Sequence, residues 1–249
     1  INGVNSIGMS AEDSANATNN STITLSGSGG QGMLASGGTV TNASGGTITV
    51  GGSDSKGMVA ASGTAVNSGT ITATSSNTIA MYSDGGTITN STGGRINTGS
   101  GTAYIMFAQN SGTANNQGTL SYSGSGSAIQ VNGATANNSG TITATNGNGI
   151  SANATTSTGA NALNSGTITV SSNSGKGMVA TSSNADATIT NTASGIINIS
   201  GTNGVGMYAD GTQAKAINLG TININNTSAS AVGMKAVNGG SVENAGTIN

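Results

Sequence analysis

Apolar residues along this chain fall in three short runs with period-two alternation, and the three runs return together with a period of about 25 residues, the length of a stacked structural repeat. The first run is Gly-Met-x-Ala, as in Gly57-Met58-Val59-Ala60 and Gly177-Met178-Val179-Ala180. The second ends on Asn with an apolar residue two places before it, as in Val40 before Asn42 and Ile88 before Asn90. The third is Thr-Ile-Thr-Val or a variant, as in Thr167-Ile168-Thr169-Val170. Alternation of this kind is the signature of a strand with one buried face, whereas a helix would repeat its apolar residues three and four apart. Gly, Ser, Asn and Asp fill the spaces between runs, as turns require.

Two anchors define the register. The first gives Met9, Met33, Met58, Met81, Met106, Ile129, Ile150, Met178, Met207 and Met234. The second gives Ile23, Ile48, Ile71, Ile96, Leu120, Ile142, Ile168, Ile197, Ile222 and Ile248, and the separation of first and last members is the same in both series. Individual steps are unequal, shortest from Ile129 to Ile150 and longest from Met178 to Met207, so surplus residues must loop out while the anchors keep phase. A sustained period means one unit stacked many times, each burying its apolar face against its neighbours. With three strands of three to five residues per turn, the sequence predicts an all-β chain folded as a right-handed parallel β-helix (β-solenoid) of about ten rungs, the hand following the crossover rule. At ~4.8 Å per rung the rod measures roughly 45 to 50 Å. No linker interrupts the pattern, so residues 1–249 are expected to form one repeat-built segment.

One polar column runs through this apolar frame. Asn42, Asn67, Asn90, Asn116, Asn138, Asn164, Asn191, Asn218 and Asn244 hold the same position in nine rungs, each followed shortly by Gly. Identical amides stacked at rung spacing can hydrogen-bond along the axis, so a structural ladder and turn residue is the preferred reading over a polar track for a ligand. In the stretch 164–170, Asn164 then serves ladder and turn, Gly166 permits the bend, Ile168 and Val170 face the core, and Thr167 and Thr169 face outward.

Composition changes the picture in a few places. With 43 Gly, 5% charged and 2% aromatic residues, the chain would pass for a low-complexity disordered one if order were ignored. The phase kept by Ile and Met excludes that. A net charge of -2, without basic stripes or stacking aromatics beside them, excludes nucleic acid as a partner. No run approaches 18 apolar residues, so direct membrane insertion is not expected, and an export signal is expected to lie outside this sequence. The absence of Cys rules out disulfides and thiolate metal sites, the absence of Pro suits ladder pairing throughout, and the absence of His removes the usual general base.

Candidate chemistry is sparse. Of seven acidic residues, Asp84 and Asp210 share a context, Met81-Tyr82-Ser83-Asp84-Gly85 and Met207-Tyr208-Ala209-Asp210-Gly211. They stand five rungs apart, roughly 24 Å, whereas paired acid/base catalysis needs carboxyls about 5 to 9.5 Å apart. A polysaccharide-cleaving enzyme is therefore disfavoured, and no catalytic or cofactor-binding residue is assigned. The calcium-binding cadence Gly-Gly-x-Gly-x-Asp does not occur, and no metal site is expected. Thr-x-Thr pairs at Thr22/Thr24, Thr47/Thr49, Thr70/Thr72, Thr141/Thr143 and Thr167/Thr169 raise ice binding, but Arg95 and Ile196 break the array, and Thr is a good strand former in any case. The position after each Met is outward, and four consecutive rungs place Leu34, Val59, Tyr82 and Phe107 there, a candidate contact patch.

The Gly-Met-x-Ala runs at 32–35, 57–60 and 177–180, with Asn-x-Gly-Thr-Ile at 67–71, 138–142 and 164–168, resemble the passenger repeats of large type V autotransporters, particularly the long fusobacterial adhesins. The resemblance covers the whole chain. It implies an extracellular rod on the bacterial surface, tethered by a C-terminal outer-membrane barrel that this sequence does not contain, with no enzymatic activity and no cofactor. Its implied role is adhesion to host cells or other bacteria, the partner being a surface protein or glycan. A spacer holding a distal binding tip away from the membrane is the alternative. The open strand at Gly246-Thr247-Ile248 leads to the expectation that the rod continues at both ends, with further rungs of the same chain as neighbours.

Overall fold

Each rung visits three faces in turn, the first through strands Ile7–Glu12, Asn16–Asn19 and Thr22–Leu25. The computed structural model describes residues 1–226 and 230–249 of the chain. Among the described residues thirty strands form three parallel sheets of ten, designated A, B and C in the order the chain meets them. Every strand pairs with its equivalents one rung before and after, never with a strand of its own rung. Among the described residues there is no helix.

The anchors set the register. Met9 pairs with Met33, Met33 with Met58, and the column continues to Met207 beside Met234. In sheet C, Ile23 pairs with Ile48 and the series ends with Ile222 beside Ile248. From Met33 to Met207 and from Ile48 to Ile222 these side chains are fully buried, and the small residues of sheet B, such as Ala65, Ala114 and Ala136, close the interior from the third side.

Sheet A strands are six residues long, longer than the three to five expected. The strand runs back through the Gly before Met and the residue before that. A Cβ on Gly57 would stand 2.5 Å from the Ala80 carbonyl oxygen of the next rung, so Gly lets successive rungs close up and pair there.

The Asn column lies inside. From Asn19 to Asn218 its members are at most 6% exposed. Each side-chain amide donates one N–H to the carbonyl oxygen of the next Asn along the axis: Asn42 to Asn67 at 2.8 Å, Asn116 to Asn138 at 2.7 Å, Asn138 to Asn164 at 2.7 Å, Asn218 to Asn244 at 2.8 Å. All the bonds point the same way, from rung to following rung. The second N–H goes to the carbonyl of the Gly in the same rung, from Asn138 to Gly140 at 3.3 Å and from Asn164 to Gly166 at 3.2 Å. That carbonyl also accepts the backbone N–H that opens the next sheet C strand, Thr167 N–H to Gly140 at 3.0 Å. Asn19 begins the ladder, donating to Asn42 at 2.8 Å; it extends the nine-membered column by one rung, and its signal in the sequence is Ala17 two places before it.

Gly166 owes its identity to this packing more than to a bend. A Cβ there would collide with the carbonyl oxygen of Gly140 below. Corners with Asn and Gly four apart, Asn42 with Gly46, Asn90 with Gly94 and Asn191 with Gly195, make the same bond as corners with the two residues two apart. Surplus residues are therefore absorbed between two fixed hydrogen-bonding points.

One rung places an aromatic ring in the core. Tyr122 closes the sheet C strand Thr119–Tyr122 where other rungs have Leu25, Val50 or Val170, and it is the largest fully buried side chain. Its hydroxyl donates to the Ala103 carbonyl at 2.7 Å and accepts from the Gly126 N–H at 2.8 Å. Burial, only partly offset by the Gly126 bond, pushes its pKa up to about 12. Among the described residues Gln31 Oε1 is the single buried side-chain polar atom without a partner, so the interior is closely satisfied.

Asn138→Ala orphans an N–H of Asn116 and the carbonyl of Asn164, and is expected to cost about 1 to 3 kcal/mol in urea unfolding; an unchanged midpoint would show that the ladder does not stabilise. Asn138→Asp must bury a carboxylate beside the Asn164 carbonyl, which raises its folded pKa, so that variant should be more stable near pH 4 than at pH 8. For Tyr122, absorbance titration should find one tyrosine ionising near pH 12, and Tyr122→Phe should remove that step. Since the folded pKa lies above the unfolded value of about 10, the stability Tyr122 contributes is complete below that pH and declines as pH rises toward 12.

Candidate functional site

With Met, Ile and Asn committed to the interior, contact with other molecules falls to the outward columns. On sheet C the Thr columns stack in register, Thr22 beside Thr47 and Thr47 beside Thr70. Arg95 then separates Thr70 from Thr119, and Ile196 separates Thr167 from Thr221. No more than three consecutive rungs keep the first Thr, so the flat array is short. Beyond it the second column turns into amides that bond along the surface, Asn249 to Asn223 and Asn223 to Asn198, each at 2.9 Å.

On sheet A the column after Met stacks as Leu34, Val59, Tyr82 and Phe107. Val59, flanked by Leu34 and Tyr82, is only 4% exposed, while the other three are half-buried. The Tyr82 and Phe107 rings lie parallel, 6° apart with centroids at 5.7 Å. Tyr104, from the neighbouring outward column, leans on Phe107 at 5.2 Å and 41°. Lys56 places its Nζ 5.1 Å from the Tyr82 ring centroid. The rings thus face along the axis and turn their edges to solvent. Sequence reasoning found Tyr82 and Phe107 and missed Lys56 and Tyr104, because alternation puts the position two before Met on the inward face, whereas here two consecutive residues, such as Ile105 and Met106, are buried and the one before them is half-exposed.

Asp84 and Asp210 do not meet. Asp84 accepts a 2.6 Å hydrogen bond from Asn110, the corner residue one rung on, and Asp210 accepts one of 2.7 Å from Asn238 at the equivalent corner. Beside Asp210, Lys176 stands over Tyr208 at 5.1 Å, repeating the Lys56 and Tyr82 arrangement five rungs along. Burial raises the pKa of both Tyr82 and Tyr208, and the adjacent Asp84 and Asp210 carboxylates raise it further. The duplicated set of Lys, Tyr, Asp and Asn ties three successive rungs together on the outside, as the amide ladder does within. Among the described residues no group of three or more His, Cys, Asp or Glu side chains gathers in one place, and from Asn19 to Asn218 the Asn column is too deeply buried to meet a ligand.

Residues 14–249 match the family model described as the BigA fourth domain. No curated protein matches. Among solved structures the chain is similar to a hyper-glycosylated fragment of TibA, residues 55–350, the product of TibC catalysis. The identity is 17%, covering 98% of this chain and 99% of that one, with a TM-score of 0.19, values too low to carry the comparison further.

For the aromatic stack, Phe107→Ala removes two ring contacts. At about 0.5 to 1.5 kcal/mol per aromatic pair, it is expected to destabilise by about 1 to 3 kcal/mol in urea unfolding; an unchanged midpoint would show the rings to be energetically idle.

Proposed function

We propose, from the premise that this chain belongs to the BigA fourth-domain family of autotransporter-like adhesin passengers, that it is a segment of a surface rod that attaches the cell to host cells or to other bacteria. The observation that carries this reading is the family match, which extends over nearly the whole solenoid. Membership gives an adhesin-type role and an extracellular surface location. A C-terminal barrel as tether, a single continuous repeat segment over residues 1–249, and the absence of enzymatic chemistry belong to the proposal. The architecture supports it: a rod stabilised from within by identical columns can vary its outward residues without loss of fold. The outward column Leu34, Val59, Tyr82 and Phe107, in which Val59 is covered by its neighbours, is the surface we assign to partner contact, supported by its concentration of aromatic area in a chain with only four Tyr and one Phe.

A spacer is the second reading, favoured by the uniformity of the rungs. Deleting residues 31–78 separates the two. Gln31, Lys56 and Ile79 are equivalent positions, so the deletion removes two whole rungs, Leu34 and Val59 with them, and rejoins the chain in register. An attachment segment should inhibit cell binding by the longer passenger when added as the isolated protein, and the deletion, or Tyr82→Ala with Phe107→Ala, should weaken that inhibition several-fold. Absence of inhibition by the intact segment, with attachment retained after the deletion in the longer protein, would establish the spacer.

A further inference from the structure

We infer that a cleft on the outer face of sheet B binds one sugar residue of a glycan. The inference deepens the attachment reading by naming a ligand class, and rests on that reading only for its biological setting. The cleft has a volume of about 330 Å³ and is lined by Asp186, Thr188, Thr212, Gln213, Ala214, Lys215 and Ser241. This is the lower end of the range of small-molecule sites, about 300 to 1,000 Å³.

Two departures from the repeat coincide there. The connection from sheet A to sheet B is two or three residues long in eight rungs, but six in the seventh (154–159) and five in the eighth (182–186). After Asn16 in the first rung, the first outward column of sheet B reads Thr39, Thr64, Thr87, Thr113 and Thr135 from the second rung to the sixth. From the seventh rung it becomes Asn161, Thr188, Lys215 and Ser241. A longer loop and a changed column are independent events in a stacked repeat, and both adjoin this cleft.

The hydrogen-bonding groups in the cleft are largely uncommitted. Lys215 pairs with Glu243 at 3.0 Å. The side chains of Asp186, Thr188, Thr212, Gln213 and Ser241 have no protein partner among the described residues. They offer a carboxylate acceptor, an amide that donates and accepts, and three hydroxyls that do both. A pyranose ring carries hydroxyls that also donate and accept on several sides, and it matches this set. An apolar molecule would find only Ala214. A phosphate would meet the Asp186 carboxylate and a lysine already paired with Glu243, and a divalent cation would find a single carboxylate in the lining, where such ions need several oxygen ligands.

The test is amide chemical-shift titration of the isotope-labelled full chain with free glucose, galactose, N-acetylglucosamine and N-acetylneuraminate in turn. At least one is expected to move the resonances of Thr188 and of 212–215, saturating in the millimolar range. Asp186→Ala and Gln213→Ala, which remove side chains without protein partners, are expected to weaken that binding at least tenfold, and Asp84→Ala is expected to leave it unchanged. No shift at these residues with any of the four sugars, or equal affinity in both cleft variants, overturns the inference. Cell attachment, measured separately, keeps the two readings apart: attachment without sugar binding removes the cleft and leaves the adhesin, and sugar binding without attachment does the reverse.

Discussion

The structure depends on placing an uncapped amide in an apolar interior and satisfying it only with another rung. A buried side-chain amide without partners costs about 1 to 3 kcal/mol, and an isolated rung offers Asn138 one partner, the Gly140 carbonyl of its own corner. The other N–H and the carbonyl oxygen are satisfied only by Asn164 on one side and Asn116 on the other. Stacking in register is therefore a condition for burial, and slippage by a single residue would orphan the amides of several rungs at once. Because every bond runs in the same direction, each amide polarises the next, which strengthens the chain of bonds cooperatively.

The same requirement explains the tolerance of the fold. The ladder fixes where Asn and the following Gly carbonyl must lie, but not the path between them, so Asn90 reaches Gly94 across a longer corner by the same bond that Asn116 makes with Gly118. Steps as unequal as Ile129 to Ile150 and Met178 to Met207 thus coexist with an unbroken register. Variation is confined to corners and outward columns, and adhesin-type contact is compatible with such a body because the interior carries the stability. The cleft beside Asp186 and Lys215 and the aromatic stack at Tyr82 and Phe107 occupy these freed positions on different sheets.

Surface side chains repeat the internal logic in weaker form. Lys56 over Tyr82 and Lys176 over Tyr208 link adjacent rungs, and Asn110 and Asn238 link each Asp to the next corner. An acidic residue before Gly, which in a sequence suggests either turn or catalysis, is here a clasp between rungs. Exposed pairs of this kind contribute little each, which fits their presence at two places among the described residues, whereas the amide ladder runs from Asn19 to Asn244.

Sequence alone determined the three strands per rung, the register of the Met and Ile anchors and the position of the Asn column, because each depends on periodicity, and a period shared by ten units leaves one stacking that buries them all. It also located Leu34, Val59, Tyr82 and Phe107 as outward residues, since alternation assigns faces. Tertiary structure alone decided what those residues do once outward: Val59 is covered by its own neighbours, and the Tyr82 and Phe107 rings turn their faces to each other along the axis. It alone brought Asp186, Gln213 and Ser241 from three rungs to one cleft and showed that Gly166 is required by the carbonyl beneath it. The reason is common to these cases. Periodicity encodes which residues are equivalent, but the distance between non-equivalent residues on adjacent rungs is set by corner lengths and side-chain packing, which have no period.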